Sequence, residues 1–208
     1  MRVYVARHGE TTWNLAGRYQ GRLESPLSPL GERQALALSD AMQTANVRRV
    51  VSSPLRRCTA TALPTAGRIG TRVDIDVRLI EIAHGTWEGR LRDEIAANDP
   101  ARYRAWREDP AHVHFENGET ITQVLERWHD FAASFAPDVP ALVVTHDAVV
   151  RVALLDALSR GLEHFWTTRV ENGAYAVFDV HAGRWALIDE RVADHLGALR
   201  APIEGQAL

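Results

Sequence analysis

Three short apolar segments of the chain lead into side chains that bind or carry charge. Val3–Ala6 is followed at once by Arg7 and His8. The second segment, 47–52, leads into Arg57, and the third, 141–145, is followed by His146. Arginine presents a planar fork of donors that matches two oxygens of a phosphate, and it stays charged at any physiological pH. These residue types predict a site that binds the oxygens of a phosphate.

The basic residues narrow that chemistry, because all 24 of them are arginine. Without lysine the chain can form no Schiff base, and it cannot carry the nucleotide loop that ends in Gly-Lys-Ser/Thr. Cys58 is the single cysteine in the sequence, which excludes an internal disulfide and a multi-cysteine metal site. We therefore expect guanidinium groups, histidine and backbone amides, with the last provided by a helix N-terminus, to bind the anion.

Strands that alternate with helices predict the framework for these residues. Apolar runs and turn residues predict strands at 3–6, 47–52, 73–77, 141–145, 174–180 and 185–189. Helices are expected from 29, over 55–67 and over 148–158, with a mostly helical cap at about 89–135. The alternation predicts one α/β domain over 1–208, a three-layer α/β/α sandwich with a mostly parallel central sheet and a C-terminal hairpin. Ligands of such sheets bind beyond the carboxyl ends of the strands.

Composition excludes several classes of partner. The net charge of −3 predicts no long-range attraction to nucleic acid or to an anionic membrane. No apolar run approaches the roughly 20 residues that a membrane helix needs. The N-terminus lacks the features of a signal peptide, so we expect a cytoplasmic protein. The edge strand of the hairpin leaves pairing with a second copy, as a homodimer, open.

Four ordered motifs resemble those of the histidine phosphatase superfamily, also called phosphoglycerate mutase-like proteins. They are RHGET at 7–11 with its continuation to 31, SSPLRRCTATA at 52–62, LIE and GTWEG within 79–89, and VVTH at 143–146. The resemblance covers residues 2 to about 155 in family order. One Arg-His-Gly triplet would be weak, whereas four motifs in order are specific.

The resemblance implies a metal-independent phosphomonoesterase of the histidine acid phosphatase type, with no cofactor and with a small-molecule phosphate ester as substrate. His8 would be the nucleophile that forms a phosphohistidine, and Glu81 the proton donor. The phosphoryl oxygens would be bound by Arg7, Arg57 and His146. The full predicted substrate-binding set is Arg7, Asn14, Gln20, Gly21, Arg57, His146 and Asp147.

Several of these positions have rival interpretations. Glu88 is the nearest rival of Glu81 as the acid, although a structural role is the simpler interpretation. Arg56 rivals Arg57, and the spacing of the family selects Arg57. Three histidines of the cap region could be proposed as a metal group but are more simply ordinary polar positions; they are His112, His114 and His129.

Two residues raise specific expectations. We expect Gly9 to let the backbone approach the ligand without an intervening Cβ. Asp147 departs from the family, many members of which carry glycine there. A carboxylate beside an anion pocket would repel phosphate, so we expect Asp147 to point away or to cap the helix that begins near Ala148.

The segment after Glu81 bears on the type of reaction. Mutases of the family tend to have a longer insertion there, rich in tyrosine and basic residues. The corresponding segment of this chain, residues 90–119, is short and contains no lysine. The sequence therefore favours hydrolysis. A phosphoglycerate mutase is the alternative, and a non-catalytic module that binds phosphorylated proteins is a third hypothesis.

Overall fold

A six-stranded sheet forms the centre of the computed structural model, which describes residues 1–202, 206 and 207. The strands are β1 (Arg2–Arg7), β2 (Arg49–Ser52), β3 (Val73–Ile75), β4 (Ala141–Thr145), β5 (Tyr175–His181) and β6 (Arg184–Val192). Their order across the sheet is β3-β2-β4-β1-β5-β6. The first four strands are parallel to one another, whereas β5 is antiparallel to β1 and forms an antiparallel hairpin with β6. This confirms the predicted sheet.

Seven α-helices connect and cover these strands in the described residues. They are α1 (Thr12–Leu15), α2 (Pro29–Thr44), α3 (Arg56–Ile69), α4 (Arg92–Asn98), α5 (Pro100–Glu108), α6 (Ile121–Ser134) and α7 (Asp147–Ala157). Helix α2 begins where the sequence predicts, because the Ser28 hydroxyl accepts the amide of Gly31 at 3.0 Å and Pro29 needs no partner at the first position. The short 3₁₀ segments between helices have no periodicity that a sequence pattern could detect.

The position of β4 in the sheet explains why its sequence is largely apolar. All five of its residues are buried. Leu142 and Val144 contact the cluster beneath α2 and α3, which includes Leu38. Ala141 and Val143 contact the opposite cluster, which includes Trp128 of α6. A strand covered on both faces needs apolar side chains at every position, and this confirms the three-layer arrangement.

The predicted cap region, about 89–135, contains α4, α5 and α6, which are separated near the Asp-Pro and Asn-Gly pairs at 99–100, 109–110 and 117–118. Its aromatic residues Trp106 and Phe115 belong to the same buried cluster as Val5 of β1 and Trp87. The helical cap is therefore packed onto the sheet. Among the described residues, no helix combines the length and apolar character needed to cross a membrane.

The parallel register brings the predicted site residues to one edge of the sheet. Arg7 of β1 lies opposite Thr145 of β4, and Ser52 of β2 lies opposite Val144. The segments that follow these three strands must therefore leave the sheet side by side.

Candidate active site

His8 is held rigidly where β1 ends. Its side chain is 2% exposed, and its amide donates to the carbonyl of Thr145 at 2.9 Å. Nδ1 lies 2.7 Å from the carbonyl oxygen of Gly9, which can only accept, so Nδ1 carries the ring proton and Nε2 has the lone pair. Burial and the charges of Arg57 and Arg7 lower the pKa of His8 well below its usual value. The imidazole is therefore neutral and has a free nucleophilic nitrogen.

Arg57, in the first turn of α3, is fixed by three hydrogen bonds. Nη1 donates to the carbonyl of Leu23 at 2.9 Å and Nη2 to that of Gly21 at 2.7 Å. Nε lies 3.2 Å from Nδ1 of His146. Because the guanidinium is 1% exposed and held on every side, its charge is positioned before any ligand arrives.

Arg7 provides the second fixed charge. Nη1 donates to the carbonyl of Val170 at 2.9 Å, and Nη2 to Oε1 of Gln206 at 2.7 Å. Nε is buried and, within the described part of the chain, has no hydrogen-bond partner. A buried N–H of a cation without an acceptor suits an anionic ligand.

Asp147 contradicts the expectation stated for it. It is the first residue of α7, with His146 at the cap position, and its carboxylate lines the cavity instead of pointing away. Oδ2 lies 3.3 Å from Nη1 of Arg7, and Oδ1 accepts from Nε of Arg151. Two buried guanidinium groups attract the carboxylate more strongly than the helix amides do. The group of three keeps a net positive charge.

Glu81 has the properties of a neutral acid near pH 7. It lines the cavity and is 7% exposed, and its Oε1 accepts the amide of Ile82 at 2.9 Å. Burial, opposed by Arg57 and assisted by Asp147, raises its pKa from 4.5 to about 7. A carboxyl group of that pKa can both donate and accept a proton at neutral pH.

One cavity, whose empty space of about 370 Å³ includes open solvent, collects most of the predicted residues. Those that line it are Arg7, His8, Gln20, Gly21, Arg57, Glu81 and Asp147. His146 lies behind the lining, with its ring centre 5.3 Å from that of His8. Asn14 also lies outside the lining, where its Oδ1 accepts the amide of Thr11 at 3.0 Å, and contact between Asn14 and a substrate stays a prediction.

His84 is a cavity residue that the sequence interpretation passed over, although it stands inside the third motif. It is 3% exposed, and neither ring nitrogen has a hydrogen-bond partner among the residues described. Its ring contacts those of Tyr19, Phe115 and Trp106 at centre distances of 5.0, 4.8 and 5.5 Å. Burial lowers its pKa to about 3, so it is a neutral imidazole at the cavity wall.

Ser53 and Gln206 also contact site residues, and the sequence analysis did not predict either of them. Ser53, in the second motif, places its Oγ 2.7 Å from Nε2 of His146. Gln206 binds Arg7 across 199 positions of sequence, and Ala207 lines the cavity beside it. A motif could have drawn attention to Ser53, whereas no sequence pattern marks the last residues of the chain.

Other expectations are corrected by close contacts. Gly9 was predicted to allow a close approach to the ligand. A Cβ on Gly9 would instead lie 2.6 Å from the carbonyl oxygen of Gly31, so glycine is needed here for close packing against the start of α2. At the start of α3 the amide of Arg56 donates to the Glu24 carboxylate at 3.1 Å, so this helix amide is already bonded within the protein. Glu88 accepts amides, one of them from His84 at 2.9 Å, and this agrees with a structural role.

The histidines of the cap region lie outside the cavity. His112 pairs with Asp109 at 2.8 Å, and His129 pairs with Asp156 at 2.9 Å. Among the described side chains, no group of three or more histidine, cysteine or acidic residues is arranged to hold a metal ion.

Comparisons with known proteins place this geometry in context. The family model described as histidine phosphatase superfamily (branch 1) matches residues 3–192. Phosphoserine phosphatase 1 of Hydrogenobacter thermophilus is 32% identical over 200 residues, which are 95% of each chain. Glucosyl-3-phosphoglycerate phosphatase of Mycobacterium tuberculosis is 33% identical over 160 residues, which are 72% of this chain and 71% of that one. The solved structure of Bacillus stearothermophilus YhfR has a TM-score of 0.89 at 27% identity and covers 94% of this chain and 98% of its own.

Proposed function

We propose that this chain, which belongs to branch 1 of the histidine phosphatase superfamily and is a phosphomonoester hydrolase, works through a phosphohistidine formed on His8. One observation carries the proposal. His8 has the lone pair of its neutral ring on Nε2, and it lines the same cavity as the guanidinium groups of Arg7 and Arg57 and the carboxyl group of Glu81, whose pKa is about 7. Nucleophile, charge stabilisation and acid are thus present within one cavity.

The first half-reaction follows from these groups. Nε2 of His8 attacks phosphorus, the P–N bond forms, and the bond from phosphorus to the leaving oxygen breaks. Charge on the three transferred oxygens is stabilised by the guanidinium groups of Arg7 and Arg57. Glu81, in its protonated form, gives its proton to the departing alkoxide.

The second half-reaction restores the enzyme. Water attacks the phosphohistidine, and the Glu81 carboxylate takes the proton that water loses. The P–N bond breaks and phosphate leaves with His8 neutral again. Since guanidinium groups supply the positive charge, we propose that no metal ion is required for this sequence of steps.

The cavity favours a small substrate with a polar organic part. Charged and polar side chains, among them Arg7, Gln20 and Arg57, make up about half of its lining, and the space enclosed between them is small. His84 places a neutral imidazole without a partner among the described residues at the wall, where it can donate to a carboxylate or hydroxyl of the substrate. Phosphoserine, the substrate named for the Hydrogenobacter relative, has this chemistry and is the first compound to test.

The decisive experiment measures phosphate release across a panel of phosphomonoesters, with His8→Ala as the control. We expect at least one small ester to be turned over, no turnover by His8→Ala, and an acid-labile phosphoryl adduct on His8 trapped during steady state. Steady-state turnover with no such adduct would refute the phosphohistidine. Full activity after removal of metals with a chelator is expected, and its loss would refute metal independence.

The alternative of a phosphoglycerate mutase requires a bisphosphorylated primer to charge the histidine. Activity that depends strictly on bisphosphoglycerate would favour that alternative, but both named relatives are phosphatases. A cytoplasmic location and a homodimer paired through β6 stay proposals. Sedimentation of the wild-type chain beside an Ile188→Pro variant tests the dimer, because Ile188 is 54% exposed on β6 and proline blocks strand pairing.

A further inference from the structure

His146 stands between two partners that decide which ring nitrogen carries its proton. Nε of Arg57 lies 3.2 Å from Nδ1, and because a guanidinium N–H can only donate, Nδ1 must accept. The proton of the neutral ring is then on Nε2, which lies 2.7 Å from Oγ of Ser53. Burial and the charge of Arg57 lower the pKa of His146 well below its usual value, which agrees with a neutral ring.

This tautomer is the wrong one for binding an anion at Nδ1. A phosphoryl oxygen that takes over the Arg57 Nε–H would meet the Nδ1 lone pair of His146, and two acceptors repel each other. Phosphate binding therefore needs a proton on Nδ1. Either the ring stays neutral and its proton leaves Nε2 while another arrives at Nδ1, or the ring takes one proton from solvent and becomes an imidazolium.

We propose that Ser53 is a positioning residue whose hydroxyl lets His146 change from acceptor to donor when a phosphoryl group binds. The inference rests on the proposed function and on the contact between His146 and the phosphoryl oxygens that the family resemblance implies. A hydroxyl can donate or accept. Ser53 accepts from Nε2–H in the tautomer of the structure and from the imidazolium, and it donates to Nε2 once the neutral ring carries its proton on Nδ1.

The surroundings of Ser53 suit that task. Its side chain is fully buried, and its amide donates to the carbonyl of Val144 at 3.0 Å, so the backbone is fixed by β4. The neighbouring thiol of Cys58 lies 3.3 Å from Nε2 of His146 but donates to the carbonyl of Thr145. A thiol is also a weaker donor and acceptor than a hydroxyl, so Cys58 cannot replace Ser53.

The first test is binding of inorganic phosphate to Ser53→Ala, measured by calorimetry. We expect at least about a tenfold loss of affinity, the size of one hydrogen bond to a charged group. Ser39→Ala is the matched control, because Ser39 is also fully buried and its hydroxyl has no partner among the described residues. We expect that control to bind phosphate within about twofold of the wild type.

The second test observes the ring itself by NMR of protein labelled with ¹⁵N-histidine, with His146 assigned from a His146→Asn variant. In the wild type, added phosphate should convert Nδ1 of His146 from an unprotonated nitrogen to an N–H. In Ser53→Ala the same conversion should require a lower pH. A merely structural role for Ser53 would not move this pH.

Two outcomes would overturn the inference: undiminished phosphate affinity in Ser53→Ala, or an Nδ1 of wild-type His146 that stays unprotonated with phosphate bound. Neither measurement needs turnover, so failure of the hydrolase proposal would leave a separate result. If Ser53→Ala does not fold, Ser53→Cys takes its place in both tests, because a thiol keeps the shape of the side chain but is a weaker donor and acceptor.

Discussion

Replacement of Glu81 by glutamine should separate substrates by the quality of their leaving groups. At its ordinary pKa of 4.5 this carboxyl would be protonated in only about 0.3% of molecules at pH 7, whereas at about 7 the acid form is near half. Glutamine occupies the same volume but donates no proton to an alkoxide. A positioned acid contributes roughly 10²- to 10⁴-fold, so we expect that loss in kcat/KM, which covers the steps up to phosphorylation of His8, for an alkyl ester such as phosphoserine.

An aryl ester such as p-nitrophenyl phosphate needs little protonation of its leaving group. Its kcat/KM should fall by less than about tenfold in Glu81→Gln, whereas its kcat also includes the hydrolysis of the phosphohistidine, for which Glu81 is the proposed base. In the wild type, kcat/KM for alkyl esters should decline as pH rises through about 7, and that limb should be absent in the variant. Glu88→Gln is the matched control, since its amide oxygen can still accept from His84 N, and it should leave the alkyl-to-aryl ratio unchanged.

The same substitution should stabilise the fold at alkaline pH. Between 4.5 and about 7 the folded state binds more protons at Glu81 than the unfolded state, so stability falls as pH rises through this window. Above this window, ionisation of the buried Glu81 lowers the free energy of unfolding by about 3 kcal/mol, because each unit by which the pKa is raised corresponds to about 1.36 kcal/mol. Glu81→Gln should therefore raise the free energy of unfolding by up to that amount near pH 8 and by almost nothing near pH 4.

Steady-state kinetics on the two esters and urea unfolding at the two pH values are the assays. Equal losses of kcat/KM on alkyl and aryl esters would refute the acid role of Glu81. Lower stability of the variant near pH 8 would refute the argument from burial. Because the two readouts are independent, each part of the reasoning can fail alone.

Three further substitutions test the cavity and its support. His84→Phe keeps the aromatic packing but removes both ring nitrogens, and KM for phosphoserine should rise about tenfold with little change for the aryl ester; equal changes would contradict a contact with the organic part. Asp147→Asn leaves the charge of buried Arg151 uncompensated, so urea unfolding should show a loss of about 3–5 kcal/mol, and unaltered stability would count against the ion pairs. Gly9→Ala places a Cβ 2.6 Å from the Gly31 oxygen and should cost about 1–3 kcal/mol by the same assay, whereas a variant as stable as wild type would contradict the close approach.

The framework of the site was predictable from local patterns. The buried strands β1 and β4, the Ser28 cap with Pro29, and the C-terminal hairpin all follow from the interactions of neighbouring residues. Parallel pairing of the strands then places Arg7, His8 and Arg57 at one edge of the sheet. Boundaries moved by one to three residues, and the 3₁₀ segments were missed, because their hydrogen bonds depend on packing and not on periodicity.

The chemistry of individual groups was less accessible. Repulsion between a carboxylate and phosphate predicts that Asp147 turns away. In the structure, Arg151 donates to this carboxylate and holds it in place. The sequence does not show that His84 is buried with no hydrogen-bond partner among the described residues, because that depends on the aromatic rings that other segments pack around it. Gln206 lies far beyond the motifs, yet its amide binds Arg7.

By itself, then, the sequence determined the kinds of side chain that follow each strand, because apolar runs, caps and turns act over a few residues. Only the tertiary structure decided the charge state and orientation of those side chains. Burial and the proximity of Arg57 lower the pKa of His8 and hold Glu81 near 7, and both arise from contacts between distant segments of the chain. A pattern along the chain names the reacting groups, but the electrostatic field that makes them reactive exists only once the sheet has brought them together.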